Sequence, residues 1–213
     1  MKIFEVSIIK TLFFNIHYFG LSGLKLPVVV SRKMKLQNCG GSVEISNPVF
    51  AGVHLGFSGV SIFDYKYQRS IWENKGKVKF ISKATLGLGT RISNYGVIKF
   101  GNEFRVTANS YFICYKCIEF GDDCLISWDC AFMDTDLHKV QDQYGNIING
   151  DKTIKFGNKV WVGTGSTILK GSSITNNVVI AAGSKITGQD CNIENSVVTS
   201  FGKIIKSDIR WNP

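Results

Sequence analysis

Large apolar side chains recur at every sixth position through most of this chain. Phe156, Val162, Ile168, Ile174, Ile180 and Ile186 form an unbroken series. Two positions ahead of each stands Ile154, Val160, Ser166, Ser172, Val178 or Ser184, aliphatic or small throughout. The same beat runs earlier through Phe80, Leu86 and Ile92, then Phe100, Val106 and Phe112, then Phe120, Ile126 and Phe132, and these trios repeat every twenty residues. A period of six is neither the 3.6 of a helix nor the plain alternation of a long strand, yet positions i−2 and i of each hexad share a face, as in a strand. Short strands joined by tight corners, three to a turn, build a prism lined by stacked aliphatic residues, which is a parallel β-helix of hexapeptide repeats and an all-β fold.

The corners of such a prism call for special backbone. Gly87, Gly101, Gly121, Gly157 and Gly163 each follow a large apolar residue or its equivalent, and with "NN" and "GN" they are expected where positive φ is needed. Cys124 and Cys130 fall in the i−2 column and read as small packing residues. Upstream the beat weakens to the pairs Val43 and Ile45, Val53 and Leu55, and Val60 and Ile62, which sets the start of the coil near residue 40. The expected organisation is an amino-terminal segment over 1–40, a coil over 41–200 and a tail over 201–213. Two stretches break the rhythm and are expected to bulge out: "YKYQRSIWENKG", 65–76, and "KVQDQYGNIINGDKT", 139–153. The second follows His138 directly, and steps of six back from His138 land on Phe132, Ile126 and Phe120, so the imidazole takes a slot that the rhythm gives to a hydrophobe. Long loops inside a compact repeat are often functional.

Composition changes the picture modestly. The chain has 213 residues, 44% of them hydrophobic, with 22 Gly and only 3 Pro, as suits a core-forming fold of many short turns. Its formal charge of +9 favours an anionic ligand or surface. The cations are scattered without an aromatic-basic recognition motif, which disfavours nucleic acid. Six cysteines and no signal-peptide pattern suggest a reduced, cytoplasmic protein, and the one CxxC, Cys114 to Cys117, has no partner pair, so no metal site is expected. Residues 1–35 hold Lys2, Lys10, Lys25, Arg32, Lys33 and Lys35 against Glu5, with aromatics interleaved and no apolar run long enough to span a bilayer. This segment reads as a helical cap whose apolar stripe covers the end of the coil, or else as an anchor on the inner face of a membrane.

The stretch "IKFGNKVWVGTGSTILKGSSITNNVVIAAGSKIT", 154–187, resembles the signature of the hexapeptide-repeat acyltransferases. "CLISWDCAFMDTDLHKV" with its following loop resembles the active-site segment of their galactoside and maltose acetyltransferase branch, and "GFSGVSIFDYKYQRSIWENKGKV" is similar to the O-acetyltransferases of capsule and lipopolysaccharide gene clusters. The resemblance covers about 40–207. It implies a left-handed β-helix, a homotrimer with sites between neighbouring prisms, and transfer of acetyl from acetyl-CoA to a carbohydrate hydroxyl. By that resemblance His138 is the general base and Trp161 lies beside the reacting groups; Asp134 and Asp136, at i−4 and i−2, are the candidates to orient the ring, by the logic that a base needs an orienter. Thr164, Ala182 and Thr187 meet the pantetheine arm, while Lys203 and Lys206 meet the phosphates. The chain departs from the family in "TSFGKII", which lacks the usual Gly-x-Pro-Ala, and in Gly188, where relatives often carry lysine; Lys185 is the candidate to compensate.

Other readings are a non-enzymatic coil that binds a glycan or a protein, and a zinc hydratase of the γ-carbonic anhydrase type. The latter needs three ligating histidines, and His17 lies outside the coil while His54 reads as structural or exposed.

Overall fold

The computed structural model describes residues 3–57 and 60–212. Lys2, counted above among the cations, and Ser58 and Gly59, within the stretch similar to the capsule enzymes, lie outside them. Among the described residues, three sheets of nine, seven and seven strands form the faces of a prism. Successive strands pass from one sheet to the next, and each up to Val197–Thr199 pairs in parallel with the strand one turn away. Val78 pairs with Ile98 and Ile98 with Ile118, twenty residues apart. Ile118 then pairs with Ile154 across the long insertion, and Phe156 with Ile174, eighteen on.

This register stacks like upon like. Phe80 and Phe100 lie 5.2 Å apart, Phe120 and Phe156 4.7 Å, and Phe112 and Phe132 4.8 Å, all with stacked rings. The i−2 column from Ile154 to Ser184 is buried, as are Cys124 and Cys130. All six cysteines are free. Burial pushes the Cys124 thiol up to about 12 and the Cys130 thiol up to about 11. Both should therefore escape alkylation by iodoacetamide at neutral pH in the folded protein and react fully in denaturant, since the thiolate is the nucleophile. Peptide mass spectrometry would read this, and labelling of folded protein at the rate of an exposed thiol would contradict a closed interior.

The structure differs from the sequence reading at several points. The coil starts at Val28 rather than near 40, because Val28–Val30, Met34–Asn38 and Ser42–Ile45 already form one strand of each sheet. Their inward residues are too few to display a hexad rhythm. Only the first part of the 65–76 stretch leaves the coil: Ser70–Asn74 is a strand, and Trp72 is fully buried. Conversely Ile62 is exposed and lies off the coil. The predicted glycines do not have positive φ, which falls on Gly89, Gly165, Gly171, Gly183 and Gly188, on Asn177 of the expected "NN" with Asp123, Lys159 and Asn195 at the same corner, and on Asn109 and Asp129 at another. Gly87 and Gly121 are required by close approach: an added Cβ would lie 2.0 Å from the Thr107 carbonyl oxygen at one and 2.4 Å from Asn158 Oδ1 at the other.

The amino-terminal segment does contain a helix, Ile8–Phe19, with Ser7 as its N-cap. It covers the open edge of the first sheet. Asn15 Nδ2 donates to the Val28 carbonyl at 2.7 Å, the Val28 N–H donates to Asn15 Oδ1 at 3.1 Å, and the Val30 N–H donates to Thr11 Oγ1 at 3.0 Å. An unpaired strand edge would otherwise invite foreign strands. Phe14 packs edge-on against Trp72 at 5.3 Å. The helix thus sets Phe14, with Tyr18 and Phe19 packed beside it, and the polar Thr11 and Asn15 against the coil, while a second apolar stripe, Ile9, Leu12, Phe13 and Ile16, looks outward.

Candidate active site

The insertion after the strand Ala131–Met133 is organised rather than structureless. Gln141 and Ile147 bridge antiparallel, and Asp142 Oδ1 accepts the Tyr144 and Asn146 N–H groups at 2.8 and 2.9 Å, which closes a small hairpin. Its base is pinned by Asn149. That side chain accepts the Val140 N–H at 2.7 Å and donates from Nδ2 to the His138 carbonyl and to Asp136 Oδ2, both at 2.8 Å. Lys170 reaches in from the neighbouring turn, donating to the Asn149 carbonyl at 2.6 Å and to the Asp136 carboxylate through a short contact. Lys170, then Asn149, holds the Asp136 carboxyl below the usual carboxylate range. The ion pair is therefore intact at neutral pH and loosens only as pH falls through that depressed value.

His138 itself is exposed. The inward ladder ends at Phe132, so the imidazole does not occupy an interior slot; it stands on the outer surface at the corner between the second and third sheets, with the backbone beneath it held by Asn149. Neither flanking carboxylate hydrogen-bonds the ring. Asp136 is engaged by Lys170 and Asn149. Asp134 is fully buried and accepts the Tyr115 N–H at 2.7 Å, the Lys116 N–H at 2.8 Å and the Cys114 thiol at 3.4 Å. It continues a column of buried polar residues, Asn74, Asn94 and Cys114, that closes this corner turn after turn; Asn94 Nδ2 donates to Asn74 Oδ1 at 2.8 Å and Asn94 Oδ1 accepts the Gly96 N–H at 3.1 Å.

The remaining candidates sit elsewhere on the prism. Trp161, in the first sheet, donates from Nε1 to Ser127 Oγ at 3.1 Å, and its ring lies 5.9 Å from that of Trp211. Thr164 Oγ1 donates to the Trp128 carbonyl at 2.9 Å at the next corner. Ala182 is exposed on the turn above it. Lys185 and Thr187 belong to the strand Lys185–Thr187 of the second sheet. After Thr199 the chain reverses through Phe201, which has φ +60°, and Lys203–Lys206 returns antiparallel along Val197–Thr199. Lys203 and Lys206 are exposed and form no ion pair among the described residues. Trp211 Nε1 donates to the Lys159 carbonyl at 3.0 Å, which fastens the tail beside Trp161. The chain thus joins His138 to Asp136, and Trp161 to Ser127 and Trp211, but leaves these two groups on different parts of the prism. Asn149, Lys170, Ser127 and Trp211 were not singled out from sequence: none is on the apolar hexad beat, and Lys170 and Ser127, though within the stretches that carry the resemblance, meet their partners only through the stacking of turns. His17 and His54 are structural: His17 Nε2 lies 2.7 Å from the Cys39 carbonyl, and burial lowers the half-buried His54.

No protein-family profile matches the chain. A curated relative, WbbJ of Escherichia coli (strain K12), named as a candidate lipopolysaccharide biosynthesis O-acetyl transferase, is 29% identical over 145 residues, 62% of this chain and 73% of its own. Two solved structures superpose with a TM-score of 0.50 each. The polySia-specific acetyltransferase NeuO is 17% identical, with 85% of this chain and 89% of that one covered. The polysialic acid O-acetyltransferase OatWY is 20% identical, with 88% of each chain covered. The chain resembles the hexapeptide-repeat O-acetyltransferases of lipopolysaccharide and capsule. The prism shares the left-handed β-helix of these hexapeptide-repeat proteins, so its three sheets wind in the sense that the sequence resemblance implied.

Proposed function

We propose that this protein is an acetyl-CoA-dependent O-acetyltransferase acting on a sugar hydroxyl of a surface polysaccharide precursor, with His138 as general base. The observation that supports this reading most directly is an exposed imidazole on a backbone fixed by Asn149, Asp136 and Lys170. A general base must be held still while its ring stays open to the acceptor. The acceptor hydroxyl gives its proton to the free imidazole nitrogen as its oxygen attacks the thioester carbonyl carbon. The tetrahedral oxyanion collapses, the carbon–sulfur bond breaks, and the coenzyme thiolate takes the proton back from the imidazolium. A backbone N–H would stabilise the oxyanion. Lys203 and Lys206, exposed and without acidic partners among the described residues, suit the coenzyme phosphates, and Lys185 adds a third cation. Thr164 and Ala182 leave room for the pantetheine arm along the first corner. A homotrimer, as the family resemblance implies, would bring the His138 corner of one prism against the Trp161 and Thr164 region of the next and so join the two groups that one chain keeps apart.

Titration calorimetry with acetyl-CoA, beside dephospho-CoA, tests the reading. Micromolar binding at one site per chain, weakened when the phosphate is lost, is the expected result. Absence of heat and of any thermal shift would favour a glycan- or protein-binding coil instead.

The clamp makes a second prediction. Lys170→Met and Asn149→Ala should each lower kcat by about tenfold to a hundredfold, the range expected when a reacting group is misplaced by about an ångström, and should leave the KM for acetyl-CoA within a few-fold. Lys170→Arg should recover part of the loss. Thiol release measured at saturating substrates would show it, and an unchanged kcat would mean that the hairpin does not position His138.

A further inference from the structure

The amino-terminal helix carries apolar side chains on two sides, Phe14 buried against the coil and a second stripe in the open. Thr11 and Asn15 face the coil and pair with the edge strand, whereas Ile9, Leu12, Phe13 and Ile16, spaced i, i+3, i+4 and i+7, face outward. Ile9 is 82% exposed, and beyond the helix Phe4 is 87% and Leu21 88% exposed. Singly exposed apolar residues mean little, but a contiguous patch of them marks an interaction surface. Cations border it. Arg32 lines a hollow with Phe4, Ile8, Leu12 and Phe50, and Lys25 lines the adjoining one with Val49 and Phe50. Lys33 and Lys35 follow in sequence, and Glu5 is the one acidic residue before Glu44.

We propose that this face docks the protein on an anionic lipid bilayer, the helix lying in the headgroup layer with its outward stripe in the acyl boundary and Arg32 and Lys25 on lipid phosphates. The charge pattern favours this occupant. A second copy of the same face would set its cations against like charges, whereas an anionic leaflet complements them, and apolar area with basic flanks is the combination that holds interfacial helices. The helix is 12 residues long, and no described helix is long and apolar enough to cross a membrane, so the contact is with the surface. The proposal does not depend on the catalytic reading.

The test is cosedimentation of the full chain with vesicles of phosphatidylcholine alone or with about one third phosphatidylglycerol. Binding to the anionic vesicles should exceed binding to the neutral ones by about tenfold or more and fall with salt. The triple variant Ile9→Ser, Leu12→Ser, Ile16→Ser should lose at least about tenfold of that binding while keeping a cooperative thermal melt, since Ile9 is 82%, Ile16 49% and Leu12 39% exposed. Arg32→Ala with Lys25→Ala should remove much of the preference for anionic lipid. Protein that stays in the supernatant with both vesicles overturns the proposal. So does a triple variant that binds as well as wild type. A triple variant that instead changes the oligomeric state, without wild type having bound vesicles, would assign the face to an interface between copies.

Discussion

His138→Ala is expected to lower turnover by about 10² to 10⁴ while leaving acetyl-CoA affinity within a few-fold and the melting curve in place. Each part of this expectation has a physical source. The imidazole is exposed, so its removal opens no cavity, and a surface substitution of this kind changes stability by about 0.5 kcal/mol at most. The clamp grips backbone and neighbours rather than the ring: Asn149 holds the His138 carbonyl, which alanine retains. The loss should therefore fall on proton transfer from the acceptor hydroxyl and hardly on the coenzyme, whose proposed contacts lie at other corners. Steady-state kinetics at saturating acceptor, beside calorimetry with acetyl-CoA, separates these terms. Near-normal turnover in the variant would rule out His138 as the base. A parallel loss of coenzyme binding would place the ring against the coenzyme instead.

The two carboxylates beside His138 show where sequence spacing stops being informative. Asp134 and Asp136 stand at i−4 and i−2, and both positions suggested an orienter for the ring. The fold separates them. Asp134 lies in a column that repeats every twenty residues through Asn74, Asn94 and Cys114, and it caps the corner of the preceding turn from inside. That column was not used in the sequence reading, although its twenty-residue period is the one the apolar trios keep. The partner of Asp136 was not visible, because Lys170 is thirty-four residues away and meets it only through the stacking of turns. The hexad rhythm was legible because each large side chain fills one interior slot and nothing else can. The corners were legible only in part. Positive φ falls on Asn177 of the expected "NN" but also on Lys159, whose type does not announce it, while Gly87 and Gly121 are demanded by close approach of the adjacent turn, a contact with no sequence signature. The outward stripe of the helix escaped for a related reason. A stripe at i, i+3, i+4 and i+7 reveals an apolar face but not which way it turns, and here the edge strand's need for hydrogen-bond partners set Thr11 and Asn15 inward beside Phe14.

Phe120→Ala should be the most costly core substitution, at about 3 to 5 kcal/mol. Phe120 is the hub of the aromatic interior: its ring lies 5.9 Å from Phe100, 4.8 Å from Phe104, 5.9 Å from Phe112, 5.3 Å from Phe132 and 4.7 Å from Phe156. Truncation leaves a cavity that rigid neighbouring rings, each hydrogen-bonded through its own strand into a fixed register, cannot collapse to fill, and it removes five aromatic pairs at once. Phe80, whose ring has a single aromatic partner at 5.2 Å, should lose less on the same change. Because each turn of a solenoid contacts only its neighbours, the damage should be local, and it lies beneath Phe132, the last rung before the His138 hairpin. Denaturant unfolding should thus show a lowered midpoint, and activity should fall at temperatures where the melt has not begun. A loss below about 1 kcal/mol would mean that the turns are not packed ring on ring and would remove the rigid base on which the positioning of His138 depends.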